Sequence, residues 1–230
     1  NNSSNIAGPY VDGDDNCLAN SCNDWNQDGI YDECVIQQFN VYQGMSIQDA
    51  INEASSGDEI IIHDGEWTRN DGDPFAFVDG KELWIHSAND STILNGNFTV
   101  GPLIVIVDSP GTRIEGLHLK NSYSESTAAG IESLSDVLVI DCLIEDCISV
   151  AGGKPGGIFL AEGSLFDTIV RDCRGDVGGV LIEDGNMFNA DISNNVGEIA
   201  GGCLMVTGEI FNTNISNNEA NVFGAGLLIN

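Results

Sequence analysis

Gly156-Gly157-Ile158, Gly178-Gly179-Val180, Gly201-Gly202-Cys203 and Gly224-Ala225-Gly226 open successive units, 22, 23 and 23 residues apart. Within these units the same residue types return in register. Phe166, Phe188 and Phe211 align, as do Asp167, Asn189 and Asn212, and as do Asp172-Cys173, Asn194-Asn195 and Asn217-Asn218. Self-similarity at a period of roughly 20–50 residues marks a stacked architecture. Short β-type runs such as Val180-Leu181-Ile182 and Ala190-Asp191-Ile192-Ser193 alternate inward and outward residues. Gly pairs and Asn pairs turn the chain between them, and no unit holds a helix-length apolar stripe. The expected fold is all-β, a right-handed parallel β-helix with one coil per unit. Stacking predicts a Phe ladder inside and an Asn ladder at a corner, its amides bonded coil to coil.

Gly201-Gly202-Cys203-Leu204 followed by Phe211-Asn212-Thr213-Asn214 resembles the repeat of the polymorphic outer-membrane proteins, Gly-Gly-x-aliphatic then Phe-x-x-Asn. Phe188-Asn189-Ala190-Asp191 departs from it at the last position and Phe166-Asp167-Thr168-Ile169 departs further. The likeness covers the last third of the chain. It implies a β-helical surface adhesin.

Working back towards the N-terminus, Ser46 is a good N-cap, and Ile47, Ala50, Ile51 and Ala54 form an apolar stripe. A helix over 46–56 is expected, stopped by Gly57, with a strand following at Glu59-Ile60-Ile61-Ile62-His63. This segment, through Asp64-Gly65-Glu66-Trp67, resembles the opening of the pectate-lyase-like right-handed β-helices. In that family a short amphipathic helix plugs the first coil, as a solenoid end requires. Further strands are expected at 82–86, 91–94, 103–107, 112–119 and 137–140. Loops 70–74, 121–129 and 151–155 should bulge from the stack, where β-helices carry binding sites.

Residues 1–34 lack periodicity and form a separate acidic, Cys-containing segment ahead of the β-helix at 35–230. Asp24, Asn26, Asp28 and Asp32 occupy positions 1, 3, 5 and 9 of a Ca²⁺ loop, with Gly29 at 6 and the Ile30 carbonyl at 7. Val35 replaces the usual acid at position 12, so the loop is not a full EF-hand. The ending in Cys34, and the earlier Asp12-Gly13-Asp14-Asp15-Asn16-Cys17, resemble the thrombospondin type 3 calcium repeats. Structural Ca²⁺ is the expected cofactor. Of seven Cys, Cys17, Cys22 and Cys34 lie here and suit a disulfide in an oxidising compartment. Zinc is the rival, with no His nearby. Cys142, Cys147, Cys173 and Cys203 fall on repeat positions; Cys147 and Cys173 align as a buried thiol stack or a coil-to-coil disulfide.

There are 36 acids against 7 bases, a net charge of −29. That excludes a basic nucleic-acid footprint and disfavours an anionic membrane surface. No apolar run is long enough to span a bilayer. Sequons occur at Asn1, Asn2, Asn89, Asn97 and Asn214. The start at Asn1-Asn2-Ser3-Ser4 reads as processed, and the end inside a repeat leads us to expect continuation or docking there.

Catalytic motifs are sparse. β-Elimination of the pectate-lyase kind would draw on Arg171 and Arg174 with Asp172, Asp146 and Asp141, although Arg171-Asp172 also reads as a surface ion pair. The Gly-His-Gly and Arg-Ile-Lys motifs of polygalacturonase-like hydrolases do not occur, and His63, His86 and His118 read as ordinary strand positions. The expected function is a secreted or surface-displayed structural or adhesive rod. It would associate end to end or with surface glycans, with a polysaccharide lyase, a hydrolase or a non-catalytic glycan-binding module as alternatives.

Overall fold

The structure is a computed structural model that describes residues 36–229 and the backbone of two short strands, Cys22–Asn23 and Glu33–Cys34. Those two strands pair antiparallel, with Cys22 opposite Cys34. From Gln38 onward the chain is a right-handed parallel β-helix of about eight turns.

Strands of successive turns stack into three sheets, the third of which begins only at Tyr123. One sheet runs through Gln38–Val41, Glu59–Ile62, Trp84–Ser87, Thr112–Glu115, Ile131–Ile140, Ile158–Phe166, Val180–Phe188 and Cys203–Thr207 to Leu227–Ile229. A second runs from Gly65–Thr68 through Leu117–Lys120 and Ile169–Arg171 to Asn214–Ser216, and a third from Tyr123–Ser124 to Glu219–Ala220. Alternation in the strands sends every second side chain into the coil. Ile60, Ile85, Ile114, Val139, Leu165 and Met187 are in register up the first sheet and fully buried. Trp67, Leu94, Leu119, Ile144, Val170 and Ile192 are in register up the second, all fully buried except Trp67, which is 8 % exposed. The two columns face one another as one continuous apolar core.

The Phe column is the clearest correction. Phe166 and Phe188 stack at 4.9 Å, but on the outside, and Phe211 is 67 % exposed. Leu165, Met187 and Ile210 take the inward positions beside them, and alternation then forces each Phe outward. The Asn ladder is as expected. Asn212 Nδ2 donates to Asn189 Oδ1 at 2.8 Å. Asn195, fully buried, donates to Asn218 Oδ1 from both backbone N and Nδ2, at 2.8 and 3.1 Å.

The corners explain why Asp and Asn recur. Asp141, Asp167, Asn189 and Asn212 turn one corner, and Asp146, Asp172, Asn194 and Asn217 the next, all with φ between 49° and 57°. This left-handed conformation is cheapest for Asn and Asp after Gly. The Gly-Gly signature has a different cause, which is close backbone approach. A methyl group at Gly178 would overlap the Gly201 carbonyl oxygen of the next coil.

The helix is shorter than expected. It spans Ile47–Glu53, with Ser46 Oγ accepting from Asp49 N at 3.1 Å. Lys81, rather than Gly57, caps its end: Nζ donates to the carbonyls of Ile51, Asn52 and Ala54 at 2.8, 3.1 and 2.7 Å. Ile47 and Ile51 plug the first coil. The expected strand 112–119 is broken by Gly116 (φ 66°) into Thr112–Glu115 and Leu117–Lys120, which enter different sheets. The strand expected at 137–140 begins instead at Ile131, because Ile131–Ser133 pairs with Ile104–Ile106.

Candidate functional site

The outward faces of the first two sheets carry most of the polar chemistry. On the first, Glu59, Trp84 and Arg113 stand in one column, with His86 and Glu115 in the next. Trp84 stacks on His86 at 4.4 Å, and the Arg113 guanidinium lies 5.0 Å from the Trp84 ring. Trp84 Nε1 donates to Glu115 Oε2 at 2.9 Å, and Arg113 Nη2 pairs with the same oxygen at 2.8 Å. Glu59 receives Gln38 Nε2 at 2.6 Å and meets His86 Nε2 at 2.7 Å. His86 Nδ1 lies 2.9 Å from the Ser87 carbonyl, which can only accept.

On the second sheet, His118 Nε2 meets Glu145 Oε1 at 2.8 Å, and Arg171 donates to Glu145 Oε2 from Nε and Nη2 at 2.9 and 2.6 Å. Burial pushes the Glu145 carboxyl up, but the hydrogen bonds and charges of Arg171 and His118 outweigh it and hold it below the usual range. Asp172 is only a long partner of Arg171, at 3.9 Å. The Asp146 carboxyl is pushed up by burial and by the charges of Glu145 and Asp172, and the Asp141 carboxyl by burial and by Asp167, Glu115 and Asp90.

Of the sequence candidates, Arg171, Asp172 and Asp146 thus come together, with Glu145 between Arg171 and His118. Arg174 stands apart on the third sheet, exposed, and Asp141 turns a different corner. The residues that sequence reading missed are Glu59, Trp84, Arg113, Glu115 and Glu145. Their signal was the outward half of strands already recognised, such as Trp84 and His86 flanking Ile85. His63 stacks on Tyr42 at 4.1 Å and bonds Asn40. Every His therefore has a coil-to-coil partner, none standing as a free base.

Cys142, Cys147, Cys173 and Cys203 are buried free thiols. Burial raises the Cys142 and Cys203 thiols to about 12, and burial, helped by neighbouring Cys147, also holds the Cys173 thiol well above its usual value. Such thiols are inert packing groups. The expected Ca²⁺ ligands Asp24, Asn26, Asp28, Ile30 and Asp32 lie outside the described residues, as do the side chains of Cys17, Cys22 and Cys34. Among the described residues no three His, Cys, Asp or Glu side chains converge on a possible metal position, and no helix is long and apolar enough to cross a membrane.

Compared with protein-family models, curated proteins and solved structures, the chain matches none of them.

Proposed function

We propose that this chain is a structural or adhesive rod of the extracellular space or cell surface, rigidified by side-chain ladders within and without. One observation carries the reading: the outward His, Trp and Glu side chains grouped on the first two sheets bind counterparts on neighbouring coils. Glu59–His86, Trp84–Glu115, His118–Glu145, Glu145–Arg171, Asn189–Asn212 and Asp191–Asn214 are all bonds of this kind. A catalytic base or acid must be able to exchange its proton with substrate. A carboxylate already accepting from an Arg and a His is poorly placed for that. In this reading the acidic segment, with Asp24, Asn26, Asp28, Asp32 and the Ile30 carbonyl around Ca²⁺, stiffens a joint between rods or between rod and surface.

The test is electron microscopy of the native material, with and without a Ca²⁺ chelator, beside immunogold labelling of intact source cells. Labelled surfaces and rods that associate end to end and loosen on chelation are expected. Unlabelled intact cells with label only after lysis would overturn the surface role. Association indifferent to chelator would remove the Ca²⁺ joint.

The grouping of Arg171, His118, Glu145, Asp146 and Asp172 favours a second reading, a polysaccharide lyase. Its signature is unsaturated uronate release abolished by Arg171→Ala.

A further inference from the structure

The seven cysteines divide into two groups. Cys142, Cys147, Cys173 and Cys203 are at most 2 % exposed, sealed inside the coils as free thiols. Cys17, Cys22 and Cys34 lie ahead of the β-helix, and the backbone sets two of them opposite one another. Where Cys22–Asn23 pairs antiparallel with Glu33–Cys34, Cys22 is the direct cross-strand partner of Cys34, and Asn23 that of Glu33. We propose that Cys22 and Cys34 form a disulfide that ties together the two ends of residues 23–33 and leaves Cys17 outside it.

The register carries the pairing. Directly opposed residues of an antiparallel ladder have Cα atoms about 4.5 or 5.5 Å apart, according to the pair type. Both separations fall inside the roughly 4.4–6.8 Å that a disulfide spans. Sequence distance alone points elsewhere. Loop-closure entropy favours joining Cys17 to Cys22 over joining Cys22 to Cys34 by about fourfold, because the shorter loop costs less to close. A ladder slipped by one residue would set Cys22 against Glu33 instead, so the choice of partner belongs to this register.

The segment gives the strand pair little else to hold it. Each strand is two residues long, and an isolated two-stranded pair is marginal in water. Residues 23–33 carry Asp24, Asp28, Asp32 and Glu33 and no Lys or Arg, so their charges repel. A covalent link takes the freedom of this loop away from the unfolded chain. It also fixes both ends of the stretch in which the proposed Ca²⁺ joint lies.

The oxidant is a disulfide, of a small molecule such as glutathione or of a protein. One cysteine thiolate attacks a sulfur of that disulfide, displaces a thiolate and forms a mixed disulfide. The other cysteine thiolate then attacks the protein sulfur of the mixed disulfide and displaces the second half of the donor. Two protein thiols are oxidised to one disulfide, the donor is reduced to two thiols, and two protons pass from the protein thiols to the released ones. Disulfides persist in oxidising surroundings, so the inference rests on the extracellular placement proposed above. Its test in solution does not, and so fails separately.

The full chain, reduced and then equilibrated in native buffer with glutathione and its disulfide, is alkylated with N-ethylmaleimide in denaturant and digested without reduction. Asp-N protease with chymotrypsin, which cuts after Leu18, separates Cys17 from Cys22. Mass spectrometry should find Cys22 joined to Cys34, with the other five of the seven cysteines outside the bridge. Cys17→Ser should keep the bridge. Oxidation in concentrated guanidinium chloride, where no ladder exists, should shift the product towards Cys17–Cys22. No bridge, Cys17 as the major partner of either cysteine, loss of the bridge in Cys17→Ser, or an unchanged product ratio in guanidinium chloride would overturn the proposal. The same mapping is made on protein taken from source cells and alkylated at lysis. A bridge in the buffer with reduced Cys22 and Cys34 in cells supports the pairing and sinks the extracellular placement; labelled surfaces with no bridge in the buffer do the reverse.

Discussion

At the scale of single residues, the corners concentrate the energetics. Asn195 receives Cys173 N at 2.9 Å and donates to the Val170 carbonyl at 2.9 Å, besides bonding Asn218. Truncation leaves a buried N–H and a buried carbonyl unpaired, each costing about 1–3 kcal/mol. Asn195→Ala should therefore destabilise the chain by about 2–4 kcal/mol in denaturant melts, whereas Asn194→Ala, at the exposed position before it, should lose only the modest preference of Asn for its turn.

Asp141 gives the opposite sign. Its carboxyl is raised in the folded state, by burial first and then by Asp167, Glu115 and Asp90. A raised folded value means that its contribution is present below the unfolded pKa and lost as pH rises through the folded one. Asp141→Asn keeps the left-handed corner and removes that loss. We expect a higher Tm for Asp141→Asn at pH 7, with the gain shrinking as pH falls through the carboxylate range. A Tm difference that stays constant from pH 3 to 7 would count against like-charge stacking.

At the scale of elements, helix α1 (Ile47–Glu53) is held at both ends by side chains, and the end that matters for the plug is Lys81. Its ammonium donates to three carbonyls that the last turn leaves unpaired. Lys81→Met keeps the aliphatic stem and deletes the cap. The expected cost is about 1–3 kcal/mol, with hydrogen exchange rising first at Ile51 and Ala54. Equal protection in variant and parent would show that packing of Ile47 and Ile51 alone holds the plug.

Strand stacking has its own hard limit at Gly185. Its φ is 156°, and a methyl group there would overlap the Gly163 carbonyl oxygen of the coil before. The overlap is with backbone in register-paired strands, so no rotamer relieves it. Gly185→Ala should fail to give folded protein at 25 °C or lower Tm by more than any surface substitution named here. A Tm within a few degrees of the parent would mean that the coils can separate locally.

Taken as a whole, the molecule is a stack whose coils are joined by hydrogen bonds, packed columns and outward ladders, and whose net charge is −29. Self-repulsion among that many carboxylates is screened by salt, with a Debye length falling from about 30 Å at 0.01 M to about 8 Å at 0.15 M. Tm should rise with NaCl over that range at pH 7. Glu145 opposes the trend locally, since its lowered carboxyl contributes stability above the unfolded pKa that is lost as pH falls through the folded one.

Much of this was determined by the sequence alone. The 22- to 23-residue recurrence of Gly-Gly, the alternating strands and the Asp/Asn corners specify a parallel coil, because only Gly tolerates the close approach and Asn or Asp the left-handed turn. Ser46 and the stripe of Ile47 and Ile51 likewise announced the plug. Tertiary structure decided which neighbour each side chain meets. Phe166 lies outside because Leu165 claims the interior, and a one-residue choice of face is invisible when both residues are apolar. Arg171 pairs with Glu145, 26 residues away, instead of adjacent Asp172, and Trp84 reaches Glu115 across 31 residues. Early coils differ in loop length, so these separations follow no fixed period. The chain after Thr68 is likewise held in place by hydrogen bonds from Arg69 and Gln48 that span up to 33 residues.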